Sequence, residues 1–271
     1  MDAALSARRL SRLGAWGIAL TLVVVAASAL LRLGTTLDAG GNVSAELSAG
    51  LQRWVRPAHR LAASGVAIVA LLAVVVAFAS RPVGARRFAV LAAIAGLTTL
   101  LAILGPLTPG YGLAAVTIAN AVGGIALACA FAWLDERASP FPARTVSLVA
   151  MGALALVLAH GALGTAASAA AMHGERGLDP WHVASGPVVV AVATCAAGFG
   201  SRSLRAPALR WTVFGAALAQ MALGMMLAAL PASRVASWSH AMGAFALALA
   251  LAALAARAAG TPRAPASSDG G

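Results

Sequence analysis

The sequence contains no lysine, only eight acidic residues and only two cysteines among its 271 residues. Charged residues make up 10% of the chain, hydrophobic residues make up 61%, and the mean hydropathy is +0.89. This composition excludes a soluble globular domain and a disordered chain. Cys129 and Cys195 fall inside apolar stretches, so the sequence offers no disulfide in an outer loop and no cysteine metal site. We interpret both as buried small hydrophobic residues.

The sequence contains several long runs of apolar residues. A hydrocarbon core of about 30 Å needs roughly 20 apolar residues per helix. Eight segments reach that length, near 13–31, 60–80, 88–106, 112–134, 146–169, 183–200, 211–230 and 237–256. We therefore predict an all-α, polytopic membrane protein, with longer outer loops at about 32–58 and 170–181.

The arginines predict an orientation in the membrane. All 19 basic residues are arginine, of which 13 fall on the side of the two termini and six on the other side. The positive-inside rule then places both termini in the cytoplasm. The arginine-only, alanine-rich usage suggests a GC-rich bacterial genome, so we expect the protein in a bacterial plasma membrane. Topology and the lipid bilayer with its anionic headgroups account for the net charge of +11, so we expect no nucleic acid partner.

The second half of the chain repeats the first. The run that begins at Asn120 resembles the run that begins at His240, and in each an arginine follows 17 residues later. A second pair of runs aligns from His59 and from His182. A repeat of four helices keeps its orientation in the membrane. We therefore predict eight transmembrane helices arranged as two repeated four-helix bundles.

The connection between the halves is the polar segment 135–144, which contains two prolines and four charges. It divides the chain into an amino-terminal half, 1–137, and a carboxy-terminal half, 138–258. The polar, proline-bearing tail 259–271 is predicted to be disordered.

Histidines are the candidate ligands. His182 and His240 occupy matching outer helix ends, and a neutral imidazole binds a metal with one ring nitrogen while the other donates a hydrogen bond. Two such rings from separate helices can hold a heme between them. The alternative is a pair of interfacial histidines hydrated among the headgroups. For His160 three interpretations are open: a hydrogen-bonded packing residue, a spare ligand or a proton relay. We interpret His173 as a solvated loop residue.

Three arginines, Arg53, Arg56 and Arg60, surround His59 at the predicted outer end of helix 2. Guanidinium groups form bidentate hydrogen bonds with carboxylates, so these arginines are candidates to pair with porphyrin propionates. Anchoring of the helix end in the membrane interface is the equally good alternative.

Five short motifs, taken in order, resemble the heme A synthase family, whose eight-helix members consist of two similar four-helix halves. They are LRLGT at 31–35, AHRLAA at 58–63, LDP at 178–180, QMALG at 220–224 and SHAMG at 239–243. The resemblance implies a b-type heme between histidines of helices 6 and 8, which here correspond to His240 and, through the repeat, His182. It implies that the amino-terminal half oxidises heme O, the C8 methyl becoming a formyl group.

The resemblance also makes His59 the catalytic and metal-binding residue of the amino-terminal half. It implies heme O as substrate, and heme O synthase or cytochrome oxidase subunits as partners. The chain departs from the family at Asn120, where helix 4 should supply a second histidine, and at Arg56, where the family favours Glu. A cysteine pair of the first outer loop is absent too. The alternative prediction is therefore a non-catalytic heme b protein for electron transfer or oxidase assembly, and a transporter or scaffold is the further possibility.

Overall fold

The computed structural model describes residues 3–39, 45–79, 83–107, 114–134, 144–172, 179–203, 207–230 and 233–259. Within them every regular element is a helix, and a short 3-10 turn, Gly105–Leu107, follows the third one. The helices are α1 (Ala3–Ala39), α2 (Ala45–Ala79), α3 (Ala85–Leu104), α4 (Ala114–Ala132), α5 (Arg144–Met172), α6 (Asp179–Ser203), α7 (Pro207–Ala229) and α8 (Arg234–Ala258). All eight are long and apolar enough to cross a membrane. For the described residues the predicted all-helical chain with eight potential spans is confirmed.

The helices extend well beyond the predicted apolar segments. The expected outer loop at 32–58 is wrong over most of its length, since α1 continues to Ala39 and α2 already begins at Ala45. Alanine, leucine, glutamine, glutamate and arginine fill the start of α2, and these residues favour helix even where the chain is too polar for hydrocarbon. His59 therefore lies well inside α2 and not at its beginning.

Buried side chains form two large clusters and a small one between them. The first large cluster comes from α1, α2, α3 and α4, which we call the amino-terminal group. The second comes from α5, α6, α7 and α8, the carboxy-terminal group, with Cys129 of α4 added. Val25, Ala128 and Phe245 form the small cluster between the groups. Because α4 and α8 contact helices of both groups, they bury the largest share of their spans.

The two cysteines have different environments. Cys129 is buried in α4, as the sequence predicts. Cys195 is exposed on the surface of α6, so its interpretation as a buried residue is wrong. A thiol is apolar enough to lie on an outward face of a helix, where a membrane would supply lipid contacts.

Arg86 links α3 to the carboxyl end of α8. Its Nη1 donates to the carbonyl oxygen of Ala259 over 2.8 Å and its Nη2 donates to that of Ala256 over 3.2 Å, while the guanidinium lies 5.1 Å from the centroid of the Trp133 ring. Ser147 of α5 donates to Ala255 over 3.2 Å. The last carbonyls of a helix have no partner within the helix, so these bonds stabilise the end of α8.

Glycines bring α1 close to α4. A Cβ added at Gly14 would lie 2.8 Å from the carbonyl oxygen of Phe131, and one added at Gly17 would overlap the Phe131 ring. Phe131 is fully buried, with 0% of its surface exposed. Small residues permit such approaches between membrane helices, where no hydrophobic force draws the helices together.

We predict that Gly17→Ala destabilises the fold by about 1–3 kcal/mol, the usual cost of overpacking a closed core. Denaturant unfolding in detergent, followed by circular dichroism, measures the change. Gly96→Ala in α3 is the matched control, because its added methyl meets nothing within 4 Å. Equal stability of the two variants would contradict the importance of this contact.

Candidate metal centre

Imidazoles from three helices meet in the carboxy-terminal group. They belong to His160 of α5, His182 of α6 and His240 of α8, and one ring nitrogen from each lies within 4.8 Å of the other two. All three side chains are partly buried. Among the described residues this is the one set of three or more histidine, cysteine or acidic side chains close enough to share a metal ion. We call it the histidine cluster.

His182 is the central ring of the cluster. It stacks on His160 with centroids 4.1 Å apart and an angle of 16° between the ring planes. It meets His240 edge to face, with centroids 6.0 Å apart and an interplanar angle of 89°. The three rings are therefore in contact, and small rotations change which nitrogens face one another.

The contacts of Ser185 give an assignment for the proton on His160. Ser185 Oγ lies 3.0 Å from the carbonyl oxygen of His182 and 2.9 Å from His160 Nδ1. We assign the single hydroxyl proton to the carbonyl, and with that assignment Nδ1–H of His160 donates to Ser185 Oγ. The neutral ring of His160 then carries its lone pair on Nε2. A ligand imidazole is usually held this way, with one nitrogen bonded to a neighbour and the other available to the metal.

Gln220 brings α7 into the site. Its Nε2 lies 3.3 Å from both ring nitrogens of His240, and only 6% of the residue is exposed. Its Oε1 is buried without a hydrogen-bond partner among the described residues, and so is Nδ1 of His182. A buried polar atom without a partner costs roughly 1–3 kcal/mol, so a hydrogen bond or a metal ion at either atom would be stabilising. Each helix of the carboxy-terminal group thus contributes at least one polar side chain.

Glycines make room for the rings. A Cβ added at Gly164 of α5 would lie 2.6 Å from Cε1 of His182, and one added at Gly224 of α7 would lie 3.4 Å from Cε1 of His240. The ring of His182 therefore occupies the space that any larger residue at 164 would fill. Gly164 follows His160 by one helical turn, which explains why the two imidazoles stack.

The structure brings His182 and His240 together, and it adds His160. The sequence interpretation of His160 as a packing residue describes its bond to Ser185 but misses its place in the cluster. Gln220 was not singled out from the sequence, although a glutamine within an apolar helix is a costly residue that signals a site.

The residues predicted around helix 2 lie elsewhere. His59 is not part of the histidine cluster, and its Nε2 lies 3.1 Å from Ser28 Oγ of α1. Arg53, Arg56 and Arg60 are exposed on the same stretch of α2. The structure therefore places these arginines at the surface beside His59.

His59 and the histidine cluster lie at the same end of the helices. Trp238, two residues before His240, donates to the carbonyl oxygen of Ala26 over 3.4 Å. Ala26 lies about half a turn from Ser28, the partner of His59. His59 and the histidine cluster are thus connected by contacts to residues 26–28 of α1.

No protein-family model matches the chain, and a comparison with curated proteins finds no match either. The resemblance to heme A synthases therefore depends on the short motifs of the sequence.

We predict that Ser185→Ala changes the protonation of His160, because the Nδ1 proton loses its acceptor. In ¹⁵N spectra of histidine-labelled protein in lipid, His160 should show the Nδ1–H form in the wild type and a mixture in the variant. The unpaired group should also cost about 1–3 kcal/mol of stability. Ser168→Ala is the control, since that hydroxyl is exposed and bonds within α5. An unchanged His160 signal in Ser185→Ala would contradict the assignment.

Proposed function

We propose that this chain is a heme-binding membrane protein similar to heme A synthases, built as two repeated four-helix bundles. The division of the buried clusters between α1–α4 and α5–α8 supports two bundles. On this proposal it spans a bacterial plasma membrane with both termini in the cytoplasm.

The observation that carries the proposal is the approach of His182 to His240. The ring nitrogens of the cluster lie within 4.8 Å of one another, and Nδ1 of His182 is buried without a hydrogen-bond partner among the described residues. Imidazole is an established ligand for heme iron. His182 of α6 and His240 of α8 are therefore the residues that would hold a b-type heme.

A heme bound there would supply one-electron redox chemistry, and the hydrogen bonds of the ligand imidazoles would tune its potential. The protein orients those ligands. Gln220 lies against the ring of His240, and Gly164 sets the position of the ring of His182.

The amino-terminal half is the proposed site for heme O, with His59 as the catalytic ligand. Ser28 lies against Nε2 of His59, so substrate must either replace that contact or use Nδ1. Arg53, Arg56 and Arg60 are exposed and available to hydrogen-bond the propionates. The proposed reaction is oxidation of the C8 methyl of heme O to a formyl group, which serves cytochrome oxidase assembly. It is a four-electron oxidation, R–CH3 + H2O → R–CHO + 4 H⁺ + 4 e⁻, and the proposal includes an external electron acceptor. Heme O synthase and cytochrome oxidase subunits are the proposed partners.

A non-catalytic heme b protein for electron transfer or oxidase assembly is the second candidate. Its support is the difference between the two halves, because the cluster of imidazoles lies in the carboxy-terminal group while α4 carries Asn120. An asparagine amide is a poor ligand for heme iron. His59 would then have no second imidazole from α4.

Reduced-minus-oxidised spectra with pyridine hemochrome extraction test the heme. We expect a b-type band from the purified wild type, loss of that band in His182→Ala and in His240→Ala, and its retention in His59→Ala. Absence of heme from the wild type would exclude both heme proposals and favour a transporter or scaffold.

Coexpression with a source of heme O tests the activity. We expect heme A or its alcohol intermediate to accumulate with the wild type and not with His59→Ala, while b-type heme stays bound in both. Asn120→His supplies an imidazole from α4 and should raise conversion. Bound b-type heme that quinol reduces, with heme O unchanged, would identify the non-catalytic electron carrier instead.

A further inference from the structure

Heme ligation uses two imidazoles, and the cluster contains three. His160 has its Nδ1 proton bonded to Ser185, and its Nε2 lone pair remains for another partner. Two further atoms of the site, His182 Nδ1 and Gln220 Oε1, are buried and unpaired among the described residues. Gln220 is more than nine-tenths buried. The site thus has more donor atoms than a heme pair requires.

We propose that His160, His182 and His240 form a binding site for a bare divalent transition-metal ion, which the protein binds when it carries no heme in the carboxy-terminal half. Imidazole nitrogen is the donor that zinc, copper, nickel and iron accept most readily among neutral side chains. Three histidines with an open fourth position are an established donor set for tetrahedral zinc. This proposal goes beyond the heme function and does not depend on it.

The distances suit a small ion after modest side-chain movement. Nitrogens around a tetrahedral ion would lie about 3.4 Å apart for metal–nitrogen bonds of about 2.0–2.1 Å. The three nitrogens lie within 4.8 Å of one another, so ring rotation closes most of the difference. The stacked rings of His160 and His182 must tilt so that both lone pairs point at one ion.

Neighbouring groups fit the supporting role that ligand histidines need. With the assignment above, Ser185 Oγ accepts a hydrogen bond from Nδ1–H of His160. A half-turn of the Gln220 amide exchanges Nε2 and Oε1, and Oε1 then accepts an N–H of His240 while the other ring nitrogen binds the ion. Asp179, the one acidic residue among the described side chains, precedes His182 by three residues and lies on the same face of α6. Its carboxylate offsets part of the charge of the ion.

Titration of the tag-free, full-length protein with Co²⁺ in detergent tests the site, because tetrahedral Co²⁺ gives intense visible absorption and Zn²⁺ should displace it. We expect one Co²⁺ ion per chain in the heme-free wild type. Loss of a residue that supports a ligand weakens metal binding by roughly 10–100-fold. Removal of any of the three imidazoles should weaken Co²⁺ binding by more than that. His59→Ala is the matched control, and it should bind Co²⁺ as the wild type does.

Ser185→Ala provides a second variant in case His160→Ala fails to fold. It leaves all three ligands in place and should weaken Co²⁺ binding by about 10–100-fold. No Co²⁺ binding to the wild type, or binding that neither His160→Ala nor Ser185→Ala weakens, would overturn the proposal.

Heme loading separates this proposal from the previous one. Heme in the carboxy-terminal half and Co²⁺ use the same nitrogens of His182 and His240, so the heme-loaded protein should not bind Co²⁺. His160→Ala should keep its b-type band and lose Co²⁺. If the wild type contains no heme but binds Co²⁺ through His160, the heme proposal alone is wrong. If the wild type binds heme but its heme-free form binds no Co²⁺, the metal proposal alone is wrong.

Discussion

The arrangement of the chain depends on one constraint: a polar side chain inside an apolar helix bundle must find its partner within the protein. Each helix of the carboxy-terminal group carries at least one such residue toward a common point. Hydrogen bonds between His160 and Ser185 and between Gln220 and His240 meet part of this constraint. Two buried atoms of the site, His182 Nδ1 and Gln220 Oε1, have no hydrogen-bond partner among the described residues, and both proposed ligands are argued from them.

Small residues allow the helices to pack densely although polar side chains lie between them. Gly17 permits α1 to lie on Phe131, and Gly164 permits the ring of His182 to lie on α5. The contact at Gly17 stabilises the fold, whereas the contact at Gly164 fixes the position of the His182 ring. The same chemical feature, a missing Cβ, therefore permits helix packing in one group of helices and makes room for a ring of the proposed site in the other.

The sequence predicts much of this architecture for a physical reason. Hydrocarbon thickness sets the length of an apolar run, so the spans could be counted in advance. Helix ends were less predictable, because helix propensity carries α2 through the polar stretch before His59. The meeting of His182 with His240 was suggested by the internal repeat. The part played by Gln220 was not suggested, since the rotation of α7 about its axis depends on packing that no periodic pattern records.

The two proposed occupants make different demands on the same rings. To bind a bare ion, the three imidazoles, which are already in contact, would rotate so that their lone pairs point at the ion. The hydroxyl of Ser185 and the amide of Gln220 can rotate with them and keep their hydrogen bonds. A porphyrin held by His182 and His240 would need space beside the central ring, on which His160 is stacked. The carbonyl bonds of Arg86 and Ser147 to α8 lie at the far end of that helix from His240 and need not change. The two proposals therefore differ in the part of His160, which is a neighbour of the ligands of a heme but a ligand of the ion itself.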